Sequence, residues 1–320
     1  MNARLQPVAT PVGAGSPWAL DSIVTELRAA RLRSLADRQR NADQPPRLPS
    51  RKALVGIVDG LSAALFPHRL GPPELADDGI DYFVGHTLDV TLRQLHSQLY
   101  RELRYLSEQQ GGSGRAAERQ RAADIIGAFA ARLPDIRAVL DSDIRAAYEG
   151  DPAAGSLDEV LVCYPGITAI IHHRLAHALH RLGAPLIARI IAEIAHSATG
   201  IDIHPGAEIG GSFFIDHGTG VVIGETTIIG QRVRLYQAVT LGAKRFPAHE
   251  NGSLIKGNAR HPIVEDDVVI YAGATILGRI TIGHGSTIGG NVWLTRSVPP
   301  GSNISQAQVR SEAFDGGAGI

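Results

Sequence analysis

Hydrophobic positions in the second half of the chain recur every six residues. From Val264 to Leu294 an aliphatic residue occupies each sixth position, and a small or β-branched residue follows each of them four positions later. An earlier block has the same period in two phases, one starting at Ile203 and the other, shifted by two, at Ile223. This period is typical of a parallel β-helix, in which three hexapeptides form one triangular coil and successive coils stack. The pattern therefore predicts a β-helix.

The first half of the chain has the three- and four-residue apolar spacing of amphipathic helices. Helices are predicted at 18–40, 51–65, 80–110, 116–148 and, divided near 183–185, at 165–198. Stretches rich in proline or glycine separate the earlier helices. We therefore expect an all-α domain before the β-helix.

The two patterns together predict an α+β chain in four segments. We expect a disordered N-terminus at 1–17, an α-helical oligomerisation and substrate-side domain at 18–199, the β-helix domain at 200–301 and a flexible tail at 302–320. A loop at 242–262 interrupts the hexapeptide repeat and must leave the body of the β-helix.

Bulk composition excludes several classes of protein. The net charge of −1 argues against a nucleic-acid-binding surface, which usually requires a basic excess. No apolar run reaches the length of a membrane span, and no signal peptide is evident. The single cysteine, Cys163, excludes an internal disulfide and agrees with a reducing compartment. We therefore expect a cytoplasmic protein with neither nucleic-acid nor membrane partners.

Five short motifs share a resemblance to one enzyme family. They are Asp202-Ile203-His204-Pro205, Asp216-His217-Gly218-Thr219-Gly220, Val222-Ile223-Gly224-Glu225-Thr226, Arg260-His261-Pro262 and Asp151-Pro152-Ala153. Together they resemble the serine acetyltransferases, over roughly residues 145–300. The resemblance implies a left-handed β-helix and the transfer of an acetyl group from acetyl-CoA to L-serine, the first step of cysteine biosynthesis. It also implies acetyl-CoA as a co-substrate and no permanently bound cofactor.

Two departures from the family pattern indicate a longer-loop branch. The loop before Arg260, at 244–259, is longer than the compact glycine-rich loop of the shorter family members. The family's Gly-Val-Pro-Ala segment after the last coil is replaced by residues 302–307. Both departures bear on the acetyl-CoA contacts and on the acceptor more than on the chemistry.

Acetyl transfer to a hydroxyl requires a base, because a hydroxyl has a pKa far above neutral. An imidazole is suited to that role at neutral pH, and His217 is the candidate. Asp216 is a poor partner for it, since adjacent strand residues point to opposite faces. Asp202 lies nearly one coil earlier, and the resemblance implies that Asp202 and His217 form the catalytic dyad.

An amino-acid acceptor requires anions for its ammonium group and a cation for its carboxylate. Asp151 and Asp216 are candidates for the ammonium, and Arg260 offers a bidentate guanidinium for the carboxylate, with His261 beside it. The resemblance implies the same roles. These residues favour a zwitterionic acceptor, but they leave serine and a close analogue such as homoserine both open.

Small and basic residues mark candidate contacts with acetyl-CoA. Small residues admit a pantetheine arm close to the backbone, and basic residues suit the CoA phosphates. The candidates are Gly242, Ala243, Ala272 and Gly273 for the arm, and Lys244, Lys256 and Arg279 for the phosphates.

The resemblance also implies an assembly and a partner. Hexapeptide β-helices usually form trimers with active sites in the grooves, and we expect a homotrimer or, more readily, a dimer of trimers through the helical half. The chain ends in Gly319-Ile320, which matches a family tail that inserts into the active site of O-acetylserine sulfhydrylase. A tail without that role is the alternative. Feedback inhibition by cysteine is a further family expectation.

Three other functions fit parts of the sequence less well. Another hexapeptide acyltransferase, with a homoserine, sugar or antibiotic acceptor, is the nearest alternative. A zinc β-helix of the γ-carbonic anhydrase type needs a close histidine pair, and the spacing of His204, His217, His261 and His284 lacks one, so no metal site is expected. The polar group around Asp216 and His217 argues against a purely structural scaffold.

Overall fold

The computed structural model describes residues 20–37, 47–109, 114–244, 254–255 and 257–306. The chain divides into two compact units, Met1–Arg47 and Leu48–Ile320. In the first unit, helix α1 spans Leu20–Asp37, within the helix predicted at 18–40. The predicted N-terminus at 1–17 and residues 307–320 of the predicted tail lie outside the described residues.

The second unit begins with helices that match most of the predicted ones. They are α2 (Arg51–Leu65), α3 (Pro67–Leu70), α4 (Ile80–Gln109), α5 (Arg115–Ala130), α6 (Leu133–Gly150), α7 (Leu157–Cys163), α8 (Pro165–Arg181) and α9 (Pro185–Thr199), with a 3₁₀ turn at Asp77–Gly79. The prediction of one helix at 116–148 was wrong. Pro134 lies in the first turn of α6, and since proline has no N–H to bond to the preceding turn, it starts a new helix there.

Fourteen short strands follow among the described residues. They are β1 (Asp202–Ile203), β2 (Glu208–Ile209), β3 (Phe214–Ile215), β4 (Val222–Ile223), β5 (Ile228–Ile229), β6 (Arg234–Leu235), β7 (Thr240–Gly242), β8 (Ile263–Val264), β9 (Val269–Ile270), β10 (Thr275–Leu277), β11 (Thr281–Ile282), β12 (Thr287–Ile288), β13 (Trp293–Leu294) and β14 (Asn303–Ile304). The predicted domain end at 301 is therefore three residues or more too early, because β14 pairs with β12.

The strands form three parallel sheets, so each coil contributes one strand to every sheet. Sheet 1 has the order β1-β4-β7-β10-β13, sheet 2 has β11-β8-β5-β2, and sheet 3 has β14-β12-β9-β6-β3. This arrangement is the predicted β-helix of hexapeptide repeats. The aliphatic side chains that recur every six residues fill its core, and Ile270, Ile276 and Ile282 are fully buried.

Coil length varies in two places, and both positions carry candidate site residues. Ile203 pairs with Ile223, twenty residues later, whereas Ile223 pairs with Leu241, eighteen residues later. Leu241 then pairs with Ile276, so the predicted loop adds seventeen residues to that coil. The two-residue shift in the sequence pattern is thus an enlarged corner after β3.

A buried ion pair joins the helices to the first coil. The Arg174 guanidinium on α8 lies 3.1 Å from the Asp143 carboxylate on α6, and it also donates to the carbonyls of Ile209 and Gly210. The Asp143 carboxylate in turn accepts the backbone N–H of Phe213 at 2.8 Å. Because of these bonds, α6 ends beside strand β3.

A helix with the length and apolarity needed to span a bilayer does not occur in the described part of the chain.

Candidate active site

Two edges of the β-helix carry the candidate site residues. The His217 edge lies between sheet 3 and sheet 1 and includes residues 216–220, 236–238 and 271–273. The Arg260 edge lies between sheet 1 and sheet 2 and includes residues 224–226, 242–244, 260–262 and 278–280. One face of the prism, about 20 Å wide for a hexapeptide, separates them.

His217 lies on the enlarged corner with a positive φ of 58°, between the buried Asp216 and Gly218. Ser212, Arg232, Ala238, Asp267 and Asn291 share this left-handed conformation, so it is a property of the tight corners of this β-helix. The imidazole is 71% exposed, and its Nδ1 lies 3.8 Å from Oδ1 of Asp216. The argument against Asp216 as its partner was wrong, because residue 217 has left the extended conformation on which strand alternation depends.

Asp202, the other member of the implied dyad, lies beside two residues of α9. Its carboxylate lies with the side chains of Glu193 and His196, whose possible ligand atoms are all within 4.8 Å of one another. Among the described residues, the carboxylate that lies within 4.0 Å of His217 belongs to Asp216 and not to Asp202. The arrangement within one chain therefore favours Asp216 as the neighbour of the candidate base.

Asp151 is the C-cap of α6, and the end of that helix places it at the His217 edge. Its Oδ2 accepts a hydrogen bond of 2.5 Å from the Tyr164 hydroxyl, and its Oδ1 accepts the backbone N–H of Ala153 at 2.8 Å. These two bonds, with smaller contributions from Arg234 and His217, lower the pKa of Asp151. The carboxylate is thus held ionised at the edge that carries His217.

Arg234 is a member of this edge that the sequence analysis missed. It lies on β6, and its guanidinium donates to Oδ2 of Asp216 at 2.5 Å and to the Gly150 carbonyl at 2.6 Å. The available signal was a separation of roughly one coil from Asp216, although Arg234 itself pairs with Phe214, because this coil contains the enlarged corner. That signal is weak, because each outward position of the β-helix has a neighbour one coil away.

Three tyrosines of the same edge were also missed. The hydrogen bond to Asp151, followed by burial, raises the pKa of Tyr164 to about 12, so its hydroxyl remains a donor. The rings of Tyr236 and Tyr271 stack with centroids 4.9 Å apart. Burial raises the pKa of Tyr236. The edge therefore combines two carboxylates, a guanidinium and aromatic walls beside an exposed imidazole.

The Arg260 edge holds the second group of candidates. The Arg260 guanidinium lies 2.6 Å from the Glu225 carboxylate. Nδ1 of His261 accepts the backbone N–H of Thr226, and burial, assisted by the Arg260 charge, lowers the pKa of His261 to about 4. Arg260 and His261 are thus held by Glu225 and Thr226, and their predicted role in binding a carboxylate stays a prediction. No hydrogen bond or ion pair connects them with His217 within the described residues.

The candidate acetyl-CoA contacts divide between the two edges. Ala272 and Gly273 lie on the His217 edge, whereas Gly242, Ala243, Lys244 and Arg279 lie on the Arg260 edge. Lys256 and Ile320 lie outside the described residues.

Three of these contacts are already engaged within the fold. A Cβ on Gly273 would lie 2.2 Å from Oδ1 of Asn291, and one on Gly242 would lie 2.9 Å from Cδ2 of Leu277, so the next coil alone explains both glycines. Arg279 donates to the carbonyls of Thr226 and His261. The acetyl-CoA roles of Ala243, Lys244 and Ala272 stay predictions.

The family comparison agrees with the repeat and with the motifs. The family described as bacterial transferase hexapeptide (six repeats) matches residues 261–296. The chain is 61% identical over 305 residues to a plasmid serine acetyltransferase of Synechococcus elongatus, covering 95% of both chains. The chain belongs to the serine acetyltransferase family. It is thus an acyltransferase by family.

Other serine acetyltransferases match half or more of the chain. A serine acetyltransferase of Mycobacterium tuberculosis is 52% identical over 162 residues, which are 51% of this chain and 67% of the relative. The crystal structure of isoform 3 from Entamoeba histolytica in complex with cysteine is 33% identical and covers 92% of this chain and 96% of its own, with a TM-score of 0.68. The Neisseria gonorrhoeae enzyme in complex with serine is 27% identical, covering 79% and 95%, with a TM-score of 0.51.

Proposed function

We propose that this chain transfers the acetyl group of acetyl-CoA to the hydroxyl of L-serine, releasing O-acetyl-L-serine and CoA. The observation that supports it most directly is the exposed imidazole of His217 on its enlarged corner, facing Asp216 and close to the ionised Asp151. A base beside a site for one ammonium group is what an amino-acid acceptor with a hydroxyl requires.

His217 acts as the general base in a ternary complex. The Asp216 carboxylate faces Nδ1, so it favours the tautomer with its proton there and leaves the Nε2 lone pair for the acceptor hydroxyl. The serine oxygen attacks the thioester carbonyl as Nε2 takes its proton. The C–S bond then breaks, and the proton passes from the imidazolium to the CoA thiolate. Asp202 remains a proposed partner if it approaches His217 when substrates bind.

The acceptor is held at both of its charged groups. Asp151 binds the ammonium group, with Asp216 adding negative charge close by. Arg260 and the Nε2–H of the neutral His261 bind the carboxylate. Ala243, Lys244 and Ala272, and more weakly Gly242, Gly273, Lys256 and Arg279, are the proposed contacts of acetyl-CoA. No resident cofactor takes part in this scheme.

A complete site requires two copies of the chain. His217 and Arg260 lie on different edges, about 20 Å apart across one hexapeptide face. A trimer about a threefold axis places unlike edges of neighbouring copies together, because its contacts join different surfaces of each copy. We therefore propose a homotrimer with shared sites, and a dimer of trimers as the larger assembly.

The proposed location and partner rest on the sequence. A single cysteine suits a cytoplasmic enzyme, and the terminal Ile320 is the proposed contact with O-acetylserine sulfhydrylase. Removing Ile320 and measuring binding to the sulfhydrylase tests that contact, and unchanged affinity contradicts it.

The proposed reaction is tested by following the free CoA thiol with acetyl-CoA and a panel of acceptors. We expect release with L-serine, less with L-homoserine, and loss of at least about a hundredfold in kcat for His217→Gln. His284→Gln is the matched control, since His284 is also exposed and near an aspartate, with Nδ1 3.6 Å from Asp267. Release that is independent of the acceptor, or a fully active His217→Gln variant, would overturn the proposal.

A further inference from the structure

We propose that Arg234 is a positioning residue and sets the charge balance of the acceptor site. It holds the Asp216 carboxylate towards His217 and ties the end of α6, which carries Asp151, to the same corner. This inference rests on the proposed acetyl transfer and assigns a role to a residue outside the motifs that identify the family.

The first contact of Arg234 orients Asp216. Nη2 of Arg234 lies 2.5 Å from Oδ2 of Asp216, and the other oxygen, Oδ1, lies 3.8 Å from Nδ1 of His217. Asp216 is only 6% exposed, so its charge needs a partner within the protein. Of the described lysines and arginines, Arg234 is the one within ion-pair distance of it. The direction in which Asp216 faces His217 is therefore fixed from behind by Arg234.

The second contact fixes Asp151. Nη1 of Arg234 donates to the carbonyl of Gly150, the last residue of α6, and Asp151 follows directly. Gly150 allows this approach, because a Cβ there would lie 3.0 Å from the Phe214 ring. One guanidinium thus sets the positions of both carboxylates of the His217 edge.

The guanidinium itself is held rigidly. Its central carbon lies 4.8 Å from the centroid of the Phe214 ring and 4.6 Å from that of Tyr236. A planar fork that stacks on rings and donates in two directions is a property of arginine that lysine lacks. A lysine at this position retains the charge and only part of the hydrogen bonding.

The same geometry indicates how many positive charges the acceptor carries. Asp151 and Asp216 carry two negative charges, and Arg234 compensates the one on Asp216. The edge then presents one uncompensated carboxylate, on Asp151, which matches one ammonium group. Asp151 is therefore the main contact of the ammonium group, and Asp216, paired with Arg234, contributes less to it.

The test compares Arg234→Met and Arg234→Lys with Arg232→Met. Arg232 is a matched control on the same coil, because it forms an equally short pair with Asp267, at 2.6 Å and 2.7 Å, on the edge between sheet 2 and sheet 3. For Arg234→Met we expect a KM for L-serine raised about tenfold to a hundredfold, with a KM for acetyl-CoA within about twofold of wild type. For Arg234→Lys we expect a KM for L-serine between those of wild type and Arg234→Met. Arg232→Met should match wild type in both KM values.

The pH profile separates positioning from a general loss of structure. Without Arg234 the negative charge of Asp216 beside His217 is uncompensated and favours the imidazolium, so the acid limb of kcat/KM should move to higher pH. Asp151, Tyr164, Tyr236 and Tyr271 are the other titratable groups at this edge. All four side chains remain in the three variants, although removing the Arg234 charge removes a contribution that lowers the pKa of Asp151 and of Tyr236. Arg232→Met should leave the limb in place.

The outcome that overturns the proposal is a folded Arg234→Met enzyme with wild-type KM for L-serine and an unmoved acid limb. If that variant does not fold, Arg234→Lys decides, and wild-type values in the folded lysine variant overturn the proposal equally. A wild-type enzyme that releases no CoA with L-serine refutes the proposed function instead, before any variant is compared.

Discussion

Nδ1 of His261 lies 3.0 Å from the backbone nitrogen of Thr226 and accepts its N–H. This bond occupies the Nδ1 lone pair, so the neutral ring carries its proton on Nε2. Burial, together with the charges of Arg260 and Arg279, lowers the pKa of the ring to about 4. His261 is therefore a hydrogen-bond donor at neutral pH, which suits an acceptor carboxylate and excludes it as the general base.

Gly224→Ala tests this role of His261. A Cβ at residue 224 would lie 2.1 Å from Cδ2 of the His261 ring, and 2.7 Å from Cγ, so the whole ring must move. We expect the KM for L-serine to rise about tenfold, with the KM for acetyl-CoA within about twofold, as steady-state kinetics measure. Gly85→Ala, on α4 with nothing within 4 Å of the added carbon, is the control. Equal kinetics for the two variants would contradict the role.

The buried His173 and His261 and the half-buried His204 predict that stability falls as the pH falls. Burial lowers the pKa of His204 to about 4 and that of His173 well below 6.5. A histidine whose pKa is lower in the folded state stabilises the protein above pH 6.5 and loses that contribution between pH 6.5 and its folded pKa, because the unfolded chain binds more protons there. Burial raises the pKa of Asp143 to about 6 and that of Glu102, which opposes the trend over part of this range.

His204→Asn isolates one of these contributions. Nδ1 of His204 accepts the Gly206 N–H at 3.0 Å, and an asparagine oxygen can replace that acceptor without titrating. We expect urea unfolding to show a smaller loss of stability between pH 7 and pH 5 in the variant than in wild type. An identical pH dependence in both proteins would show that His204 does not contribute.

Arg174→Met tests the joint between the helices and the first coil. The variant leaves the fully buried Asp143 carboxylate without its cation, which typically costs about 3–5 kcal/mol in the free energy of unfolding. In an Asp143→Asn background the same change should cost less, since the neutral amide needs no counter-charge. Urea titrations of the four proteins of this cycle measure the difference. Equal costs in both backgrounds would mean that the charge pair is not what the variant removes.

The β-helix could be predicted from the sequence because the same six-residue rule applies at every repeat. A six-residue period identifies the inward positions, such as Ile270 and Ile282, because each coil repeats the same geometry. The two-residue change of phase before Ile223 also marked the enlarged corner that carries His217. The relation of Asp216 to His217 was mispredicted because strand alternation was applied to a corner residue with positive φ.

The contacts of Arg234 at the His217 edge could not be predicted from local sequence pattern. Arg234 reaches the Gly150 carbonyl across 84 residues of sequence, through an approach that depends on how α6 lies against β3. That position follows from the Asp143–Arg174 pair and from the missing side chain at Gly150. Neither has a periodic signature, so Arg234 looks like any other outward residue of a hexapeptide.

A site shared between copies predicts that two inactive variants restore each other. His217→Ala removes the base from one edge, and Arg260→Leu removes the carboxylate contact from the other, so each homo-oligomer should be inactive. The two variants are then mixed in equal amounts, unfolded and refolded together. Because chains assemble at random into a ring of heterologous contacts, about a quarter of the sites should pair an intact His217 edge with an intact Arg260 edge. CoA release with L-serine should return to about a quarter of the wild-type rate. Mixing two preparations of the same variant is the control, and no recovery in the correctly assembled mixture would place both edges in sites formed within one chain.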